Sequence, residues 1–189
     1  MFAVLPLLLL TLYPHRGKEL FVATASEDRA LIMRIKALST TVSLDDAQRV
    51  TYCAVTTGRE LARKWRVVGL ATWLPGIQNF LIKTGARKGG YCFQYSTELL
   101  VRLNALKLQT LEFHWAESEP HTMNENNAIV VTARGQPFEQ GLLLDSWRCQ
   151  PYLIWTQVTR DPEYHWTENK SFAALVLRRA NNARPQNPQ

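Results

Sequence analysis

The sequence has few cysteines, and its three thiols, Cys53, Cys92 and Cys149, form no CxxC pair. The missing pairs argue against a structural zinc site and against a thioredoxin-type redox motif. An odd number of cysteines fits a free reactive thiol. A Cys53–Cys149 disulfide that leaves Cys92 free fits equally well if the protein is exported. The sequence leaves both alternatives open.

Motifs for bound groups are also missing. The chain has neither the Walker spacing nor GxGxxG, and its four histidines show no metal-ligand spacing with the acidic residues. We therefore expect neither cofactor nor metal. The net charge is +6, but no long Lys/Arg run occurs, and the densest basic stretches are 59–66 and 83–88. We interpret them as a solvated helix face and a loop, so we expect no nucleic-acid partner, while an acidic surface remains a compatible partner.

Long hydrophobic runs are limited to Phe2–Leu12, which is apolar apart from Thr11. This run is too short to span a bilayer but suits the hydrophobic region of a signal peptide, although no basic residue precedes it. The alternative is a buried N-terminal segment. We expect an exported protein, periplasmic or membrane-associated, with no stable transmembrane span. We set residues 1–20 apart from a single domain over 21–180, and we expect a disordered polar tail over 181–189.

The hydrophobic periodicity is helical in the first half of the chain and alternating in the second. Helices are predicted from Ser26, from Ser43 to about Arg66, from Cys92 to about Lys107 and over Ser171–Arg179. Strands are predicted over Leu108–Ala116, Asn127–Ala133, Leu142–Leu144 and Tyr152–Val158. Helices followed by strands predict an α+β fold, with the Cys92 helix packed on an antiparallel sheet of about four strands.

Cys92 is the candidate nucleophile because it opens a helix and follows the sequence Gly89-Gly90-Tyr91. Glycines suit the turn before a helix, and the positive end of the helix dipole favours thiolate over thiol. The alternative is a small buried residue that packs a helix start, since free cysteine is among the most buried residue types.

The order of these features resembles the papain-like and transglutaminase-like cysteine folds. Gly90-Tyr91-Cys92 is similar to the nucleophile position of both groups, and Asp145-Ser146-Trp147 resembles the Asn-Ser-Trp of papain-like proteases. A looser similarity links the chain to uncharacterised bacterial exported proteins that carry a Gly-x-Cys helix, then His-Asn-Ala-Leu-Val-Val, then Leu-Asp-Pro-Trp-Arg. The resemblance covers roughly residues 75–160. It implies a cysteine hydrolase or acyltransferase that acts on an amide or ester bond, with a peptide or cell-wall amide as a compatible substrate.

The resemblance implies Cys92 as nucleophile and Asp145 as the acid that orients the base, but the expected histidine is missing. In these groups the histidine begins its strand or precedes it by one residue, and here Asn126 and Asn127 hold that place. An asparagine amide has no titrating nitrogen and takes no proton from a thiol. Three alternatives follow: His121 acts as the base from the preceding loop, His114 does so from its strand, or the site has lost its base.

The first alternative gives a catalytic set of Cys92, His121 and Asp145. An oxyanion would be held by the Cys92 N–H and by a side-chain amide, with Gln78, Asn79 and Gln94 as candidates. The last alternative gives a non-catalytic binding protein on the same fold. Such a protein would keep Cys92 and Asp145 as structural residues and use its basic surface to contact an acidic partner.

Overall fold

The computed structural model describes residues 21–23, 27–65, 90–122 and 124–183. The helices are α1 (Glu27–Lys36), α2 (Leu44–Lys64), α3 (Cys92–Ala105) and α4 (Lys170–Asn182). The strands are β1 (Phe21–Ala23), β2 (Leu111–Ser118), β3 (Asn126–Ala133), β4 (Leu142–Cys149), β5 (Tyr152–Gln157) and β6 (Thr167–Glu168). The predictions for residues 1–20, for Gln78 and Asn79, and for most of the tail lie outside the described residues.

The strands form one sheet in the order β1-β5-β4-β3-β2-β6, and every pairing is antiparallel. This confirms the mixed helix and antiparallel-sheet class. The expectation of about four strands was wrong, since five strands have three residues or more and β6 adds a two-residue sixth. The four predicted strands correspond to β2–β5. Strands as short as β1 and β6 contain too few residues for alternation to reveal them.

Helix α2 begins where the sequence predicts it, because Ser43 caps it. Its Oγ accepts a hydrogen bond from the Asp46 N–H at 2.9 Å, and Asp45 and Asp46 lie in the first turn. We expect Ser43→Ala to lower the free energy of unfolding by about 1 kcal/mol, because an N–H at the helix start loses its acceptor. Urea unfolding measures this. Ser43→Asp retains an acceptor and should unfold like the wild type.

The main hydrophobic core lies between the helices and one face of the sheet. It includes Leu31 and Ile35 of α1, Leu99 of α3, and Trp115 and Val131 of the sheet. The opposite face carries a smaller buried cluster: Ala116, Ala128, Val130, Phe138, Leu143 and Val158. Because both faces are covered, all eight residues of β3 are buried, although the sheet is antiparallel. The start of β3 therefore meets the start of α3 inside the protein.

Candidate functional site around Cys92

Helix α3 begins at a tight turn that its own glutamine closes. Gly90 has φ = 101°, a conformation that favours glycine, and it is followed by the N-cap residue Tyr91. Gln94 Oε1 accepts hydrogen bonds from the Gly90 and Tyr91 N–H groups at 2.7 and 3.0 Å. Gln94, one of the candidate oxyanion residues, thus caps its own helix instead of facing a substrate.

The Cys92 thiol is buried, with an exposed fraction of 4%. Its Sγ–H donates to the Glu125 carbonyl oxygen at 3.7 Å, and Asn127 Nδ2 donates to Sγ at 3.4 Å. Trp147 and Tyr95 pack in the same small cluster. The neighbours of the sulfur are therefore an amide, a carbonyl and aromatic rings.

Burial raises the pKa of Cys92 to about 11. The hydrogen bond from Asn127 lowers that pKa, the Glu125 and Asp145 carboxylates raise it, and the Phe93 N–H at the helix start lowers it. The contribution expected from the helix start is therefore present but smaller than the cost of placing a thiolate in a buried site. The expectation of a stabilised thiolate was wrong for this reason.

Asn127 forms hydrogen bonds through both its side chain and its backbone oxygen. Its Oδ1 accepts from Trp115 Nε1 at 3.0 Å, and its Nδ2 donates to Glu125 Oε1 at 3.1 Å as well as to Cys92 Sγ. Ser96 Oγ of α3 donates to its backbone oxygen at 2.7 Å. This residue is thus the polar link between α3 and β3 beneath the thiol.

Asp145 is buried on β4, and none of its hydrogen-bond partners among the described residues is an imidazole. Its Oδ1 accepts from the N–H groups of Trp147 and Arg148, and its Oδ2 accepts from Arg148 Nε and from Asn126 Nδ2, all at 2.9–3.0 Å. An asparagine amide thus contacts the acid, and the next asparagine along the chain contacts the thiol. The two positions that a catalytic histidine would bridge are both taken by amides.

Asp145 belongs to a buried network of ion pairs that the sequence does not predict. The Arg148 guanidinium, 4% exposed, also contacts Asp161 at 2.6 and 3.1 Å and lies 4.9 Å from the Tyr164 ring. Burial would raise the pKa of Asp161, but the hydrogen bond and charge of Arg148 hold it below its usual value. Arg148 belongs to the Asp-Ser-Trp-Arg stretch of the sequence, whereas Asp161 carries no signal that would link it to this site.

The histidines predicted as bases have other environments. His121 is exposed in a turn with φ = 67°, and its backbone N–H donates to Glu125 Oε2 at 2.9 Å. His114 pairs with Glu168 through Nδ1 at 2.6 Å and with Thr132 Oγ1 through Nε2 at 2.8 Å. Neither forms a hydrogen bond with Cys92 or Asp145 in the described part of the chain. The Cys92–His121–Asp145 set requires an imidazole nitrogen at the Cys92 sulfur. His121 makes no such contact.

All three cysteines are free thiols, so the Cys53–Cys149 disulfide is not formed. Burial raises the pKa of both Cys53 and Cys149. Within the described ranges, no group of three or more His, Cys, Asp and Glu side chains could hold a metal ion. None of the helices in those ranges has both the length and the apolar character needed to cross a membrane.

No family model, no curated protein and no solved structure matches the chain.

Proposed function

We propose that the chain is a non-catalytic binding protein on a papain-like or transglutaminase-like cysteine fold. The order of elements supports the fold: a cysteine opens a helix, antiparallel strands follow, and an acid lies on the strand next to β3. Two amide contacts support the proposed lack of catalysis. Asn127 contacts Cys92 Sγ, and Asn126 contacts Asp145, so amides stand where a catalytic histidine would be needed.

The protonation of the thiol supports this proposal. With a pKa of about 11, only about one thiol in ten thousand is ionised at pH 7. A general base for such a thiol needs a pKa near the working pH, and an amide has none in that range. Attack on a peptide or cell-wall amide by Cys92, with His121 and Asp145, is therefore the less supported alternative.

The contacts give Cys92 and Asp145 structural roles. Cys92 and Asn127 connect the start of α3 to the start of β3, and Asp145 anchors Arg148. We propose that binding uses the exposed basic surface and that the partner is acidic, since the net charge is +6 and residues such as Arg63 and Lys64 lie exposed at the end of α2. Export remains part of the proposal and depends on Phe2–Leu12. Fractionation of cells that express the tagged full chain tests it.

Iodoacetamide labelling across pH tests the catalytic part of the proposal. We expect the labelling rate of Cys92 to rise about tenfold per pH unit from pH 7 to about pH 10, because only the thiolate reacts and the pKa is about 11. At pH 8 the thiolate fraction is about two-hundredfold below that of a free cysteine of pKa near 8.5. Mass spectrometry of separate peptides distinguishes Cys92 from Cys53 and Cys149.

The slope of this profile is independent of how easily the reagent enters the site, and circular dichroism at each pH verifies that the protein stays folded. A rate that levels off below pH 8 would show an activated thiol and contradict the proposal. Hydrolysis of activated amide or ester substrates that is lost in Cys92→Ala would contradict it as well.

A further inference from the structure

The outer edge of β2 is only partly covered. Strand β3 pairs with all of β2, from Leu111 to Ser118, whereas β6 pairs only with Ala116 and Glu117. Within the described ranges no strand pairs with the outer side of Leu111–His114. Open strand edges of this kind are templates for the addition of another strand.

The direction of the backbone groups identifies which of them face this edge. The Asn169 N–H donates to the Trp115 carbonyl at 2.9 Å, so the backbone of Trp115 points outward. Backbone direction alternates along a strand, and therefore Phe113 and Leu111 also point outward. Among the described residues no backbone group pairs with their N–H and C=O groups on this side, so these groups can pair with an added strand.

A groove of about 410 Å³ lies along the same edge. Leu100 of α3, Leu108, Phe113 and Leu177 of α4 contribute its apolar lining. Phe113 belongs to both features, because its backbone faces the edge and its half-buried side chain lines the groove. The edge and the groove thus form one continuous surface.

The rim of the groove is positively charged. Arg134 pairs with Glu112 at 3.3 Å, whereas Lys107 is exposed and has no ion pair within the described residues. One positive charge therefore remains uncompensated beside an open strand edge.

We propose that this surface binds an extended, acidic peptide segment of a partner protein. The segment adds to β2 as a strand, places an apolar side chain in the groove and an acidic side chain beside Lys107. Recognition by strand addition draws affinity from main-chain hydrogen bonds and specificity from the pockets for alternate side chains. A second copy of the chain is disfavoured as occupant because each copy carries a net charge of +6. The proposal is independent of the chemistry of Cys92.

Fluorescence anisotropy with two labelled peptides tests the charge preference. Both probes have about nine residues of alternating valine and threonine, with two glutamates in one and two lysines in the other. We expect the glutamate peptide to bind at least about tenfold more tightly. Lys107→Glu should lower its affinity by a similar factor. Arg29→Glu, the same charge change at an exposed position of α1, should leave the affinity unchanged.

Hydrogen exchange of the full chain locates the bound strand. We expect the glutamate peptide to protect the amides of Leu111 and Phe113, and we expect no such protection from the lysine peptide. Equal losses in Lys107→Glu and Arg29→Glu, protection elsewhere, or no binding of either peptide would overturn the proposal. Analytical sedimentation of the protein without peptide tests whether a second copy of the chain occupies this edge. A dimer with both amides already protected would assign this edge to self-association.

Discussion

Replacement of Arg148 by methionine is expected to lower the free energy of unfolding by about 3–5 kcal/mol. The side chain is 4% exposed, and its removal leaves the buried carboxylates of Asp145 and Asp161 without their cation. Breaking a buried pair at one partner is costly because the remaining charge stays desolvated. A protein of this size has about 5–15 kcal/mol in total, so the loss is a large fraction of it. Urea unfolding followed by circular dichroism measures the change.

Arg102→Met is the matched control, because Arg102 pairs with Glu60 at the surface and solvent-exposed ion pairs contribute little to stability. If Arg148→Met fails to fold, Arg148→Met with Asp161→Asn provides the second variant, and it should be more stable than the single one. A loss no larger than that of Arg102→Met would show that the network does not stabilise the fold.

The difference in stability between the wild type and Arg148→Met depends on pH in a direction that the pKa of Asp161 determines. Arg148 holds the pKa of Asp161 below its ordinary value. The Arg148–Asp161 pair therefore stabilises the folded protein above about pH 4, and this stabilisation is lost as the pH falls through the lowered pKa of Asp161. In Arg148→Met this contribution is absent at every pH. The difference in stability between wild type and variant should therefore narrow as the solution is acidified from pH 7 to pH 3.

The elements around the site were predictable because their signals are local. Ser43 before two acids marks a helix start, and the change from helical to alternating periodicity after Lys107 marks the strands. Asn126 and Asn127, at the position where the resemblance predicts a histidine, were also visible in the sequence, because the two residues open a strand of otherwise apolar character. Local chemistry thus gave the positions of the thiol, the amides and the acid.

The protonation of Cys92 was not predictable because it is set by residues distant in sequence. A helix start favours a thiolate, but Trp147 from β4 and the Asn127 region of β3 bury the sulfur, and burial raises its pKa. The partners of Asp145 were hidden for the same reason. Arg148 connects it to Asp161, and no pattern in the sequence indicates that two buried acids would share one arginine.

Asn126→His is expected to activate the thiol. Asn126 lies between the two halves of the site: the carbonyl of the preceding residue, Glu125, accepts from Cys92 Sγ, and its own amide donates to Asp145 Oδ2 at 3.0 Å. We expect an imidazole in this place to take over the hydrogen bond to Asp145 and to turn its second, titrating nitrogen towards the sulfur. If it lowers the pKa of Cys92 by two units or more, iodoacetamide labelling at pH 7.5 rises at least about a hundredfold.

Asn126→Gln is the matched control, because it retains an amide and should label as slowly as the wild type. Asn126→His combined with Cys92→Ser is the second control: it should lose the labelling if the signal comes from Cys92. Labelling of Asn126→His at the rate of Asn126→Gln would show that an imidazole at residue 126 does not reach the sulfur. Activation by this one substitution would instead locate the loss of catalysis in a single side chain. The thiol, the acid and the strand that should carry the base would then still have a catalytic arrangement, and Cys92 would be protonated at neutral pH because it is buried and has no imidazole beside it.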